Sequence, residues 1–193
     1  MKQALFALCM ILTATFAGAA DKILPHPQIE VVTNAGTFRM ELATKEAPRT
    51  VEHFLKLVDS GFYDGLIFHR VIAGFMVQTG GYTPGLKLKE DDERLINESG
   101  NAMSNVRGTV AMARLDDPHS ANSQFFINLD DNSRLDPQKD PVRGRWGYTV
   151  FGYVVAGMDV VDKIAAVETA PIGEHANTPI VPIIIKSMSQ AND

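Results

Sequence analysis

A chain of 193 residues suits one well-buried domain and is short for two, and 45% hydrophobic with 21% charged residues is the composition of a folded soluble protein, not a disordered one. The formal net charge is -5 and the pI about 5.5, with no run of Lys or Arg, so the attraction that brings proteins to nucleic acid has no source.

Residues 1–20 stand apart from the rest. Lys2 gives a short positive start, Ala4 to Phe16 form an apolar run, and Ala17 to Ala20 supply small residues for cleavage after Ala19 or Ala20. This pattern predicts a secretory signal peptide. The run is shorter than the roughly 20 residues a spanning helix needs and no charged stop follows, so no stable membrane insertion is expected after cleavage. Cys9 lies inside this leader, and the mature chain therefore has no thiol for a disulfide or a thiolate zinc site. His26, His53, His69, His119 and His175 never fall at i, i+3 or i, i+4, so no local metal motif exists and no metal is expected.

After a proline-bearing lead segment over 21–28, Ile29 to Thr33 and the alternating Thr37 to Leu42 read as a hairpin turning at Asn34-Ala35-Gly36. Ala47 to Ser60 has Pro48 in its first turn and Val51, Phe54, Leu55 and Val58 at helical spacing, with Gly61 as its stop. His53 shares the opposite side with Glu52, Lys56 and Asp59, which reads as a solvated face. Ile67 to Ile72 and Phe75 to Thr79 are two short strands broken at Ala73-Gly74. Here a cation, Arg70, precedes an apolar pair, Phe75 and Met76, and an uncharged amide, Gln78. Such a stretch suits a ligand with an apolar ring beside a carbonyl, as proline has in a peptide. On spacing alone, an ordinary strand with an exposed arginine is the better reading. His69 belongs on the opposite side of the strand from Arg70 and reads as structural.

Gly80 to Gly85 lacks the Gly-Lys-Ser/Thr ending of a phosphate loop and reads as a flexible loop. Leu86 to Gly100 is charged and loop-like, with Asn97-Glu98-Ser99 matching a glycosylation acceptor. Thr109 to Ala113 and Gln124 to Asn128 are strands. Between them Asp116, Asp117, His119, Ser120 and Ser123 carry the residue types of a hydrolytic triad without a glycine-framed nucleophile turn, and read as a polar loop. An irregular stretch from Asp130 to Tyr148 holds Leu135 and Trp146. A strand over Thr149 to Val155, a helix over Met158 to Val167 and a strand over Ile180 to Met188 complete the chain. Seven or eight short strands and two helices argue for a closed or nearly closed β-barrel with helices at its ends.

Four blocks in order, FHRVIAGFMVQTGG (Phe68 to Gly81), GTVAMAR (Gly108 to Arg114), SQFFIN (Ser123 to Asn128) and YTVFGYVVAGMDVVDKI (Tyr148 to Ile164), resemble the signature blocks of the cyclophilin-type peptidyl-prolyl isomerases. The likeness is greatest to the bacterial exported members, which share Tyr148, and it implies a domain over 29–190. It implies a closed eight-stranded antiparallel β-barrel capped by two α-helices, acting as a monomer in the periplasm, with secretion as the alternative. The implied activity is cis-trans isomerisation of Xaa-Pro bonds in unfolded or folding exported proteins, without cofactor or metal. A binding module for proline segments with little turnover is the rival, and Arg70 separates the two. By position Arg70 is similar to the family's catalytic arginine, while Phe75, Met76, Phe126 and Leu135 resemble the walls of its proline pocket. Gln78 and Gln124 match its groove amides, and Ala113 and Arg114 match residues that hold the substrate backbone. Three positions depart from many members: Arg134 replaces a Trp, Tyr148 a His, and Arg114 an Asn.

Overall fold

In the computed structural model, residues 26–138 and 145–191 are described. The leader over 1–20, with Cys9 and the cleavage positions, lies outside the described residues. Two antiparallel strands, β1 (Gln28–Thr33) and β2 (Gly36–Leu42), form the expected hairpin, in register from Gln28↔Glu41 to Thr33↔Gly36. Helix α1 (Pro48–Asp59) follows. Then come β3 (Arg70–Ile72), β4 (Met76–Thr79), β5 (Thr109–Met112), β6 (Phe125–Asn128) and β7 (Val150–Ala156). Helix α2 (Met158–Ala165), a hairpin of β8 (Thr169–Ile172) and β9 (His175–Pro179), and β10 (Ile185–Gln190) end the chain.

Eight strands make one antiparallel sheet in the order β10-β1-β2-β7-β5-β6-β4-β3. The expected closed barrel is not formed: the sheet curls through 224° and keeps two edges, β10 and β3. Across the gap, the segment before β3 bonds to the start of β10 and the residues leading into it. Ile67 bridges Ile184, the Phe68 amide donates to the Ile183 carbonyl (3.0 Å), and the Ile185 amide donates to the Leu66 carbonyl (2.8 Å). From Ile185 onward the chain is already paired with β1. A three-residue β3 offers no length for a second ladder.

The strand expected over Ile180 to Met188 begins at Ile185, beyond Pro182, which has no amide to donate. The β8–β9 hairpin had no forecast because its residues are half exposed, polar and proline-bearing, without apolar alternation. This hairpin packs on the strand that carries Arg70. Thr178 Oγ1 donates to the His69 carbonyl (3.0 Å), and the Tyr82 ring stands between those of His69 and His175, at 4.6 and 4.7 Å.

The concave face of the sheet holds the main core, closed by α1 and α2. At its centre Phe54 of α1 packs on Tyr63, Phe125 and Phe151, with ring centroids 5.0–5.4 Å away. Edge-to-face aromatic pairs add to the area they bury. The Tyr63 hydroxyl, inside this cluster, donates to the Ser123 carbonyl (3.0 Å) and ties the turn after α1 to the start of β6.

Helix α1 starts with Pro48 after Ala47, which has no side chain to cap with. Its free amides are met from far along the chain: the Glu98 carboxylate accepts from Arg49 N (3.2 Å), Thr50 N (2.9 Å) and Thr50 Oγ1 (2.7 Å). A carboxylate here also offsets the positive end of the helix dipole. The same loop overturns the solvated reading of His53, which is 3% exposed, because Asp91 and Glu93 fold over that side of the helix. Asn97 is buried as well. Its amide donates to the carbonyls of Pro118 and Gly147, so it stands as a structural residue and not as an open glycan acceptor.

Two outcomes follow. Glu98→Ala leaves three donors unanswered at a half-covered helix start and is expected to cost about 2 kcal/mol, read as a lower urea midpoint at unchanged slope. The second concerns His69, 3% exposed. Burial, then the neighbouring His175 and Arg70, lower its pKa to about 4. The folded state resists the proton that the unfolded chain accepts near pH 6.5, so this contribution is present above pH 6.5 and is lost as pH falls toward 4. The loss is on the order of 3 kcal/mol, and urea unfolding of wild type and His69→Gln at pH 7 and pH 4.5 checks that the variant lacks it.

Candidate active site

The site is built on the other side of the same strands. Along β4 to β7, residues alternate between the main core (Val77, Val110, Met112, Phe125, Ile127, Phe151) and a smaller apolar cluster (Met76, Ala111, Phe126, Val150) on the convex face. Strand pairing lines up the second set across the sheet: Arg70 lies opposite Gln78, Gln78 opposite Phe126, Phe126 opposite Ala111, and Ala111 opposite Val150. One row therefore runs from a guanidinium through an amide to an apolar floor.

A cleft of about 200 Å³ opens over this row. Met76 and Phe126, both buried, form the floor; Phe75, Leu135 and Tyr148 form the walls. Arg70 and Gln78 stand at one rim, Ala113 and Arg114 at the other. Gln124 lies outside this cleft, in an adjoining one of about 110 Å³ that shares Gln78, Ala113 and Arg114 with it. The ten residues singled out in the sequence thus occupy one cleft and its neighbour.

Polar contacts hold the rim. Gln78 Nε2 donates to Gln124 Oε1 (3.1 Å), which turns Gln78 Oε1 toward Arg70, whose Nη1 donates to it at 3.4 Å. A cation at the end of an amide pair is aimed without being neutralised. Gln124 can lie there because residue 81 is glycine: a Cβ would come within 2.6 Å of the Gln124 side chain. Gly80, at φ +91°, would bring a Cβ to 2.5 Å from the Ser123 carbonyl. The two glycines expected in a flexible loop are in fact a tight packing surface for the start of β6.

On the far side Arg114 is fastened to the loop before β7. Its Nε and Nη2 donate to the carbonyls of Gly147 (3.2 Å) and Trp146 (2.9 Å), and its guanidinium lies 4.7 Å from the centre of the Tyr148 ring. Tyr148 in turn meets Phe126 edge-on at 5.7 Å. Trp146 does not line the cleft; it is 48% exposed and packs on His119. Arg134 instead covers Phe75, 4.6 Å above its ring.

Four further residues stand at the site without having been candidates: Met103 and Ile72 pack against the cleft cluster, and Glu90 and Arg94 line the adjoining cleft. Met103, Glu90 and Arg94 come from loops without periodicity, so no local signal marked them. The polar loop over 116–123 assembles no triad: Ser120 Oγ donates to the Asp117 carbonyl (2.6 Å) and Ser123 Oγ to that of Gly80 (2.9 Å), while His119 Nδ1 accepts from the Asn97 amide (3.1 Å). Among the described residues the cleft is lined by no carboxylate, thiolate or imidazole, and its donors suit a carbonyl-bearing ligand.

The cyclophilin type peptidyl-prolyl cis-trans isomerase/CLD family model matches residues 28–190. Peptidyl-prolyl cis-trans isomerase cyp18 of Streptomyces antibioticus is 49% identical over 159 residues, covering 82% of this chain and 95% of its own. Peptidyl-prolyl cis-trans isomerase A of Dickeya dadantii is 43% identical over 187 residues, 96% of each chain. Among solved structures, a Cryptosporidium parvum cyclophilin type isomerase crystallised in the presence of the dipeptide ala-pro superposes with a TM-score of 0.70 at 24% identity, covering 86% of this chain and 99% of that one. It shares the fold.

Proposed function

The chain belongs to the cyclophilin-type peptidyl-prolyl cis-trans isomerase family and is such an isomerase, and on that premise we propose that Arg70 is its catalytic group. The observation that carries this is a guanidinium held by an amide pair at the mouth of an apolar cleft.

Rotation about an Xaa-Pro bond must break amide resonance, which sets a barrier of about 18–20 kcal/mol for a peptide bond. No nucleophile is needed, because only a torsion changes. In the planar amide the prolyl nitrogen lone pair is delocalised and accepts no hydrogen bond. In the twisted state the nitrogen becomes pyramidal and accepts one. A donor placed at that nitrogen therefore stabilises the transition state and leaves the ground state alone, the condition for lowering a barrier. Arginine fits this role because its proton is never lost at physiological pH.

The cleft supplies the other half. Met76, Phe126, Phe75 and Leu135 receive the proline ring, whose burial contributes about 2 kcal/mol and keeps the ring still while the acyl side turns. The backbone at Ala113 and Arg114, together with the amides of Gln78 and Gln124, hydrogen-bonds the flanking peptide, and Tyr148 closes one wall. The substrates on this reading are proline-containing segments of unfolded or folding exported proteins, for which isomerisation takes tens to hundreds of seconds unaided. A periplasmic place of action rests on the leader pattern and on the likeness to the Dickeya protein, whose 96% coverage of this chain extends into that leader. Secretion to the exterior is the alternative.

Two measurements test these readings. In NMR exchange between the cis and trans signals of an Ala-Pro peptide, wild type accelerates exchange and Arg70→Ala loses about 10²–10³ of the acceleration with unchanged folding. Equal acceleration by both removes Arg70 from the chemistry. Fractionation of a bacterium expressing the full chain should recover it in the periplasm with its N-terminus at Ala20 or Asp21; an intact Met1 terminus in the cytoplasm contradicts export.

A further inference from the structure

We propose that His53, Asp91 and Glu93 bind one divalent transition-metal ion, of the zinc class, which fastens the segment after residue 90 to helix α1. The reading is independent of the isomerase chemistry. His53 is a buried side chain, 3% exposed, and among the described residues neither of its ring nitrogens makes a hydrogen bond, although each has a carboxylate oxygen at ion-pair distance. Buried ring nitrogens without a hydrogen bond are rare, so an imidazole held only at ion-pair distance from two carboxylates suits a ligand that engages all three. Two carboxylates from the loop flank it, Glu93 Oε2 3.2 Å from Nδ1 and Asp91 Oδ2 3.5 Å from Nε2; one ion takes one ring nitrogen, Nε2 beside Asp91, and Glu93 has to swing to it. One donor atom from each of the three residues falls within 4.8 Å of the others.

The donor set identifies the ligand class. One imidazole with two carboxylates presents a borderline nitrogen and a double negative charge, which suits zinc or a neighbouring first-row ion; magnesium and calcium favour oxygen alone. Tetrahedral ligands at about 2.0–2.2 Å from zinc stand roughly 3.4 Å apart, so the widest pair has to close by about 1.4 Å. Glu93, whose side chain is 55% exposed, is free to make that rotation. Access comes through a cavity of about 280 Å³ over His53 and Glu93. The cations at its edge are Arg49, Lys56 and Arg94, and Lys56 is already held by Glu52 at 3.1 Å. Arg94 lines both this cavity and the cleft beside the proline pocket. A metal on Asp91 and Glu93 therefore sets the position of a residue at the rim of the substrate groove.

Calorimetric titration of the purified protein with zinc chloride, alongside thermal melts with and without zinc, tests this. Wild type is expected to bind one equivalent saturably and to melt higher with zinc. Asp91→Asn and Glu93→Gln should each weaken binding at least about tenfold and lose the shift in melting temperature. His53→Gln should do the same; if it fails to fold, the two loop variants still decide the matter. Absence of saturable binding by wild type overturns the proposal, as does unchanged affinity in both loop variants. A wild-type melting temperature that does not rise with zinc overturns it too.

Discussion

A β-strand shows its residues to the two sides of its sheet in turn, and in this molecule β4, β5, β6 and the start of β7 keep both sides largely away from water. On the concave side Val77, Val110, Phe125, Ile127 and Phe151 join the helices in the main core. On the convex side Met76, Ala111, Phe126 and Val150 make the floor of a cleft. The two sets are separated by one residue of register, so a slip of one position would send the cleft floor into the core and the core into solvent. The apolar site and the stability of the fold are thus set by the same alternation. A row of cross-strand partners then carries the floor out to Gln78 and Arg70 without any loop taking part.

Loops supply the walls, and they are kept in place by buried amides. Asn128 Nδ2 donates to Asn105 Oδ1 and Thr109 Oγ1, and Asn132 Nδ2 donates to Asn128 Oδ1 and to the Phe75 carbonyl (2.9 Å). The Asp136 carboxylate accepts from the Asn105 backbone and side chain at 2.8 and 2.9 Å. These bonds join the loops that carry Met103, Phe75 and Leu135 into one polar layer beneath the cleft walls. In a dry setting each such group costs stability if left unpaired, so the layer is specified as tightly as a packed core. A groove that only needs to hold a ring still while an amide twists is well served by walls of this kind.

Much of the architecture could be read along the chain because its causes are local. Hairpin β1–β2 has its glycine turn and alternation, α1 and α2 have helical stripes, and β4 to β7 have short apolar runs between turn residues. The ten candidate site residues were legible for another reason: four signature blocks in order resembled a family, whereas the spacing around Arg70 alone favoured an ordinary strand. Met103, Glu90 and Arg94 escaped because irregular loops carry no period. His53 was misplaced because its helical position pointed away from the core of its own sheet, and only a loop some forty residues later covers it. The closed barrel was too strong an inference, since strand count does not say whether the first and last strands of a curled sheet have the length to pair.

By itself, then, the sequence determined what depends on neighbours in the chain: where strands and helices lie, which side of each is apolar, where glycine must turn the backbone, and which blocks mark the isomerase family. Tertiary structure alone decided what depends on residues far apart. It capped α1 with Glu98, spent the Asn97 amide on two carbonyls, set Trp146 against His119 and left Arg134 over Phe75. The physical reason is that alternation and helical stripes repeat within a few residues and leave a periodic trace. A hydrogen bond or an ion pair across the fold is fixed by the path of the loops, and leaves none.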